Sequence, residues 1–201
     1  IVTITQSSGT GTIGGVTDNG NGTYTATVTS PTAVGSGVFV ATLGGAQVKS
    51  GGGTQTQSTI TYIPGPATKY LVSSSSYSPV AGSNVTITAQ LADVNGNPVL
   101  TAGKIVTWTK TGTGGSFGSG TSTTSASGIA TVTFTTSTVS GTVHTVTGTD
   151  AGALTGTSTA ITTIPGAATK YLVTSSGYSP VAGSDVTITA QLADVNGNPV
   201  L

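Results

Sequence analysis

The chain carries a near-copy of part of itself, and this limits its folds more than any other feature. The text from Ala67-Thr68-Lys69-Tyr70-Leu71 through Asp93-Val94-Asn95-Gly96-Asn97-Pro98-Val99-Leu100 returns at Ala168 to Leu201, with Lys69 recurring as Lys170, a period of 101 residues. Between 66–100 and 167–201 the copies differ only at Pro66/Ala167, Ser73/Thr174, Ser76/Gly177 and Asn84/Asp185. A period of that length is one small domain, because solenoid units run to a few dozen residues. The chain reads as a tandem array.

The remaining text falls into phase. Ile1-Val2-Thr3-Ile4-Thr5 parallels Ile105-Val106-Thr107-Trp108-Thr109, and Ile63-Pro64-Gly65 parallels Ile164-Pro165-Gly166. The expected division is therefore the back part of one module over 1–65, a complete module over 66–166, and the front part of another over 167–201. A part-module alone leaves unpaired strand edges and an open core. The expectation is either a longer parent chain or incomplete ends that complete each other between copies.

Composition narrows the class of function. The 201 residues include five Lys, five Asp, and no Arg, Glu or Cys, for a net charge of zero. Nucleic acid or an anionic membrane would need a concentrated basic surface, so neither is an expected partner. No apolar run approaches the ~20 residues of a spanning helix, so no membrane insertion is expected in this segment. Without cysteine there is no disulfide, thiolate metal site or thiol nucleophile. Each module must then be held by an apolar core, for which roughly 100 residues suffice. The polar surface comes from Thr, Ser, Gly and Asn, which suits a protein facing the external medium.

Local patterning is almost wholly strand and turn. Val85, Ile87, Ala89 and Leu91 alternate with polar residues, as do Val106 and Trp108, and Ala130, Val132 and Phe134. Tyr24, Ala26 and Val28 are read as the counterpart of that last face, and Val143 to Val146 and Ser158 to Ile164 as further strands. Thr is β-branched and tolerates a solvated pleat, so the outward Thr positions favour strands. About seven strands over 66–166 predict an antiparallel β-sandwich. Trp108 falls on the third strand as the expected core anchor, with Ile4 in its place in the preceding module.

Asp93-Val94-Asn95-Gly96-Asn97-Pro98-Val99, Ile105-Val106-Thr107-Trp108 and Ser127-Gly128-Ile129-Ala130-Thr131-Val132 together resemble the bacterial immunoglobulin-like repeats of the invasin and intimin type. Asp18-Asn19-Gly20-Asn21-Gly22-Thr23-Tyr24-Thr25-Ala26 is similar to the matching segment of those repeats and of filamin-type domains. The resemblance implies tandem immunoglobulin-like sandwiches in a surface-exposed adhesin or stalk. No lectin-like tip is recognisable, so receptor binding does not carry over.

Candidate sites are few. Asp93, Asn95 and Asn97, repeated as Asp194, Asn196 and Asn198, place oxygen ligands at alternate positions as a calcium loop would. Against this, no Glu closes the site, Asn-Gly is a tight-turn dipeptide, and one carboxylate is little charge for a cation. No other cofactor is expected. His144, the only histidine, lies on a strand with no acid and nucleophile assignable around it, and no hydrolase or phosphate-loop motif occurs, so the chain does not read as an enzyme. Lys69 and Lys170 are read as edge-strand lysines that discourage sheet aggregation, or as donors of an intramolecular amide bond to an Asn or Asp. Asn21-Gly22-Thr23 and Asn84-Val85-Thr86 are formal glycosylation sequons. A flat, ranked Thr array of the ice- or carbohydrate-binding kind is not expected from the irregular pattern.

The joints carry the functional expectation. Around Pro64 and Pro165 only a few residues separate the last strand of one module from the first of the next, and proline limits bending. The expected role is a repeat of an extracellular, cell-surface adhesin or stalk that projects or spaces a binding tip. The alternative is a filament subunit joined through sheet edges or complementation of half-modules between copies. The expected partners are neighbouring modules of the same or identical chains, and host or other cell surfaces through domains outside this segment.

Overall fold

The computed structural model describes residues 1–49, 53 and 55–201. The chain is all-β and forms two compact units, Ile1–Pro66 with Asp93–Asn97, and Ala67–Ala92 with Pro98–Leu201. The first unit contains β1 (Val2–Gly9), β2 (Thr12–Ile13), β3 (Thr17–Asp18), β4 (Tyr24–Thr25), β5 (Val28–Thr29), β6 (Gly35–Leu43), β7 (Ala46–Gln47) and β8 (Gln57–Tyr62). The second contains β9 (Lys69–Ser74), β10 (Asn84–Ala92), β11 (Ile105–Lys110), β12 (Ser116–Phe117), β13 (Thr121–Thr123), β14 (Ile129–Thr135), β15 (Val143–His144), β16 (Val146–Asp150), β17 (Thr155–Thr157), β18 (Ile161–Thr162), β19 (Lys170–Ser175) and β20 (Ile188–Ala193).

In the second unit two four-stranded antiparallel sheets, ordered β12-β14-β10-β9 and β13-β11-β16-β17, enclose one core. The period-2 alternation decides which side chains enter it: Val85, Ile87, Ala89 and Leu91 from β10, Val106 and Trp108 from β11, Ala130, Val132 and Phe134 from β14. Each large apolar side chain buried this way contributes about 1.5–3 kcal/mol. The immunoglobulin-like sandwich expected from the sequence is the fold observed. Short β12 and β13 bring the two sheets to eight strands, because the Gly-rich 112–120 stretch lays Phe117 5.1 Å from the Phe134 ring.

Trp108 is buried and donates from Nε1 to Ser122 Oγ at 2.9 Å. Directly across the ladder stands Gly148. A Cβ there would lie 3.1 Å from the indole and 2.9 Å from Val106. In the first unit the matching pair is Ile4 opposite Ala41. The large partner is smaller there and the small one larger, and both are half-buried.

The two sheets touch where β17 crosses β9, and a Cβ on Gly156 would meet the Tyr70 carbonyl at 1.9 Å. Beside that contact the Tyr70 hydroxyl donates to Asp150 Oδ2 at 3.2 Å. Burial first, then the Asp150 carboxylate, push the Tyr70 phenol up to about 12.

Three expected strands are divided. The Val143–Val146 run breaks at Thr145 into β15 and β16, which pair with β18 and with β11 and β17 respectively. The Ser158–Ile164 run divides between β18, which pairs with β15, and Ile164, which bridges Val80 in parallel, while Ser158 at its start donates its N–H to the Val146 carbonyl and accepts the Val146 N–H at Oγ. In the first unit Tyr24, Ala26 and Val28 do not form one strand: β4 and β5 belong to separate two-stranded sheets. Their counterpart β14 is held straight by β10 along seven paired residues, and among the described residues of the first unit no strand fills that place.

The β19–β20 hairpin repeats β9–β10 with identical register, Tyr171 opposite Leu192 as Tyr70 is opposite Leu91. Burial is not repeated. Tyr70 is 2% exposed and Tyr171 65%, and Ile87 is 0% exposed and Ile188 62%.

The outer face of β13-β11-β16-β17 does rank its threonines, contrary to the expectation from sequence. The ladders set Thr121, Thr107, Thr149 and Thr155 in one row and Thr109, Thr147 and Thr157 in the next. Thr147–Thr157 and Thr149–Thr155 hydroxyls bond at 2.8 and 3.0 Å, pairs that brace adjacent strands. Register between strands distant in sequence makes the rows, which periodicity within one strand does not reveal.

Candidate functional site

The motif Asp194-Val195-Asn196-Gly197-Asn198 follows β20 as a closed turn. Asp194 N–H donates to the Asn198 carbonyl at 2.9 Å and Gly197 N–H to the Asp194 carbonyl at 3.0 Å. Gly197 has φ of 88°, a left-handed conformation that glycine adopts without a Cβ penalty.

The Asp194 carboxylate is fully buried and accepts four hydrogen bonds, each of 2.9 Å. Oδ1 accepts from the Asn196 and Asn198 N–H groups, and Oδ2 from the Gly166 N–H and Asn198 Nδ2. The Asn198 amide foremost, with the Gly166, Asn198 and Asn196 N–H groups, holds this carboxyl down to about 2 against the opposing effect of burial. Charge-assisted donors on both oxygens make a rigid loop.

The loop is docked onto the sandwich of the second unit. Asn198 Nδ2 donates to the Thr138 carbonyl at 2.9 Å, and the Ser140 N–H donates to Asn198 Oδ1 at 2.8 Å. Asn196 Nδ2 donates to the Ala81 carbonyl at 3.2 Å. The connecting segment is tied on both flanks: Ile164 N–H donates to the Pro79 carbonyl and Ala81 N–H to the Ile164 carbonyl, both at 2.9 Å, before half-buried Pro165 and the Gly166 bond to Asp194.

His144 sits beneath this receiving loop. It is fully buried, edge-on to Phe134 with ring centroids 5.1 Å apart. The Ser137 N–H donates to Nε2 at 3.3 Å, and Nδ1 lies 3.0 Å from the Thr111 carbonyl, an arrangement that assigns the proton to Nδ1. Thr163 Oγ1 donates to the Val139 carbonyl at 2.7 Å. His144 and Thr163 hold residues 137–142 in shape for Asn198.

The first unit repeats the arrangement. Asp93 Oδ1 accepts from the Asn95 and Asn97 N–H groups at 2.9 Å, and Oδ2 from the Gly65 N–H at 3.0 Å and Asn97 Nδ2 at 2.9 Å. Asn97 Nδ2 donates to the Thr32 carbonyl at 2.8 Å, and Val34 N–H donates to Asn97 Oδ1 at 3.2 Å. The Asn97 amide foremost holds the Asp93 carboxyl at about 2. Half-buried Pro64 precedes Gly65 as Pro165 precedes Gly166.

The residues read as calcium ligands are thus brought together three in each loop, with the Asp93, Asn97, Asp194 and Asn198 side-chain oxygens directed to N–H donors. Four donors occupy the in-plane lone pairs of each carboxylate, and a cation would have to displace them. Among the described residues no group of three or more His, Cys, Asp or Glu could hold a metal ion. Lys170 is exposed and its Nζ donates to the Val195 carbonyl at 3.0 Å, while Lys69 is half-buried at the matching position of β9. Asn21 accepts from the Thr23 N–H and hydroxyl within its turn, and Asn84 accepts from the Thr135 hydroxyl. Sequence reasoning missed Thr138, Ser140, Thr32 and Val34 because they contribute main-chain groups, which any residue type supplies. The repeated Ile-Pro-Gly was the one available signal for the Gly65 and Gly166 bonds.

No family model and no curated protein matches the chain. Among solved structures it is similar to FdeC, an Escherichia coli adhesin, with 24% identity and a TM-score of 0.46 over 99% of this chain and 63% of that one. It is similar to the D00-D0 domain of intimin, with 18% identity and a TM-score of 0.46 over 81% of this chain and 78% of that one. A glycosyl hydrolase family 2 member from Bacteroides cellulosilyticus gives 17% identity and a TM-score of 0.46 over 70% and 18%. The chain spans 63% of the FdeC structure's length. At these identities and TM-scores none carries an argument about this chain's activity or role.

Proposed function

We propose that this chain is a structural segment of an extracellular, cell-surface adhesin or stalk, in which successive repeats are spaced by docked joints and binding is left to other parts of the protein. The observation that carries this reading is the Asp194–Asn198 loop, which ties the front strands of one repeat to main-chain groups of the sandwich before it. A joint fixed by seven hydrogen bonds of one loop's side chains suits a part that bears load or holds distance, since a loose linker would dissipate both. The neutral surface argues in the same direction, offering no charged footprint for nucleic acid or membrane.

The joint is tested by hydrogen exchange on the 201-residue chain. Wild type should protect the Gly166 and Ser140 amides together, and Asn198→Ala should open both by about 2 kcal/mol, the loss of its side-chain bonds. Unprotected Gly166 and Ser140 amides in the wild type would remove the basis of the reading. Surface exposure is tested by antibody labelling of intact source cells, where labelling only after lysis would contradict it.

A further inference from the structure

Asparagine followed by glycine is the dipeptide most open to attack by its own main chain, because glycine has no side chain to shield its nitrogen. The chain holds four such steps, Asn19-Gly20, Asn21-Gly22, Asn95-Gly96 and Asn196-Gly197. All four asparagines are exposed, so access to water does not rank them. The partner of each glycine N–H does. We propose that Asn21 is a site of self-modification, converted through a cyclic imide with Gly22 to aspartate and isoaspartate, while the other three steps are held back by their hydrogen bonds. This reaction is independent of the stalk reading.

Three of the four attacking nitrogens are tied. Gly20 N–H donates to Asp18 Oδ1 at 2.9 Å. Gly96 N–H donates to the Asp93 carbonyl at 3.1 Å, and Gly197 N–H to the Asp194 carbonyl at 3.0 Å. Each must break that bond before its nitrogen can turn toward the asparagine side chain. The Asn196 side chain is anchored as well, since its Nδ2 donates to the Ala81 carbonyl at 3.2 Å. Gly22 N–H has no acceptor among the described residues.

The electrophile at Asn21 is prepared too. Its Oδ1 accepts from the Thr23 N–H at 3.1 Å and from the Thr23 hydroxyl at 2.7 Å. Bonding to the N–H two residues on folds Cγ over the intervening Asn21–Gly22 peptide, beside the nitrogen that attacks. The same two donors sit where negative charge grows on Oδ1 as the tetrahedral intermediate forms, the placement that lowers barriers in acyl transfer. Among the described residues no atom beyond the chain neighbours would lie within 4 Å of a Cβ on Gly20 or Gly22, so the turn has room for ring closure and for water. The step balances with water alone. Gly22 N bonds to Asn21 Cγ and gives up its proton to solvent, and the side-chain nitrogen leaves as ammonia. Water then opens the imide, at Cγ to give aspartate or at the Asn21 main-chain carbonyl to give isoaspartate. Either product adds a carboxylate to a turn closed by the Asn19 N–H on the Thr23 carbonyl at 3.0 Å, and isoaspartate also lengthens its main chain by a methylene.

Incubating the 201-residue chain in mildly alkaline buffer and mapping its peptides by mass spectrometry tests this. Asn21 should gain the mass of an NH2-to-OH exchange first, about tenfold ahead of Asn19, Asn95 and Asn196, the factor that breaking one main-chain bond imposes. In denaturing urea that lead should vanish. Asp18→Ala frees the Gly20 N–H and should bring Asn19 up to the pace of Asn21, with slow conversion at Asn95 and Asn196 reporting that the fold is intact. A native chain in which Asn19, Asn95 or Asn196 converts as fast as Asn21 would overturn the proposal. So would a lead that persists in urea, or an Asp18→Ala chain in which Asn19 stays slow. None of these results touches the Gly166 and Ser140 amides, whose protection tests the stalk reading separately.

Discussion

Gly148 has no side chain, and that is what lets Trp108 lie flat in the core across the ladder from it. Gly148→Ala should cost about 1–3 kcal/mol through overpacking, read as a lower urea midpoint with Trp108 fluorescence as the probe. Tyr70 makes a second prediction. Its phenol is raised to about 12 in the fold from its ordinary value of 10.0, first by burial and then by Asp150. The folded state therefore keeps a proton that the unfolded chain releases. Its stabilising effect is whole below pH 10 and lost as pH rises toward 12, so unfolding titrations should show stability falling over that window. Tyr70→Phe should flatten the fall; an unchanged slope would show that another group is responsible.

At the scale of the element, the Asp-Asn loop behaves as one hydrogen-bonded unit. Hydrogen bonds hold its carboxyls down to about 2 in the fold, below their ordinary value of 3.8. A depressed folded value means that the unfolded chain takes up protons first. The stabilisation is present above about pH 4 and lost as pH falls toward 2. Amide exchange at Gly65 and Gly166 should accelerate together across that window, because both N–H groups donate to the titrating carboxylates. Alternate oxygens marked this loop from sequence as a candidate for calcium, and in the structure the Asp93 and Asp194 oxygens accept N–H donors from the same loop and from Gly65 and Gly166. Side-chain spacing identifies where a carboxylate and two amides converge, but not which atoms arrive to meet them. With the lone pairs filled by N–H donors, millimolar calcium should leave the melting temperature unchanged, and calcium-dependent melting would show that the cation displaces those donors.

At the scale of the molecule, the same sequence appears in two burial states within one chain. β9–β10 and β19–β20 share strand register and differ in which surfaces meet them. The hairpin is thus a local product of alternation and turn chemistry, and the core face of β9–β10 demands a covering sheet. In the second unit that demand is met by β11 to β17. That sandwich is completed by packing against its own later strands, and the loop after each hairpin is held by side-chain bonds to main-chain groups. Such a joint tolerates drift in the receiving sequence, as Thr32 and Val34 in one unit and Thr138 and Ser140 in the other demonstrate.

The sequence by itself determined the all-β class, the 101-residue period, the strands whose apolar residues alternate, and the residues of the repeated loop, because each follows from spacing along the chain. Tertiary structure alone decided that Tyr70 is buried and Tyr171 is not, that the 143–146 and 158–164 runs divide between pairings, that threonines from four strands fall into rows, and that Asp194 faces Gly166. Those outcomes depend on groups far apart in sequence meeting in space, and a hydrogen bond to a main-chain N–H or carbonyl leaves no mark in the letters of the residue that supplies it.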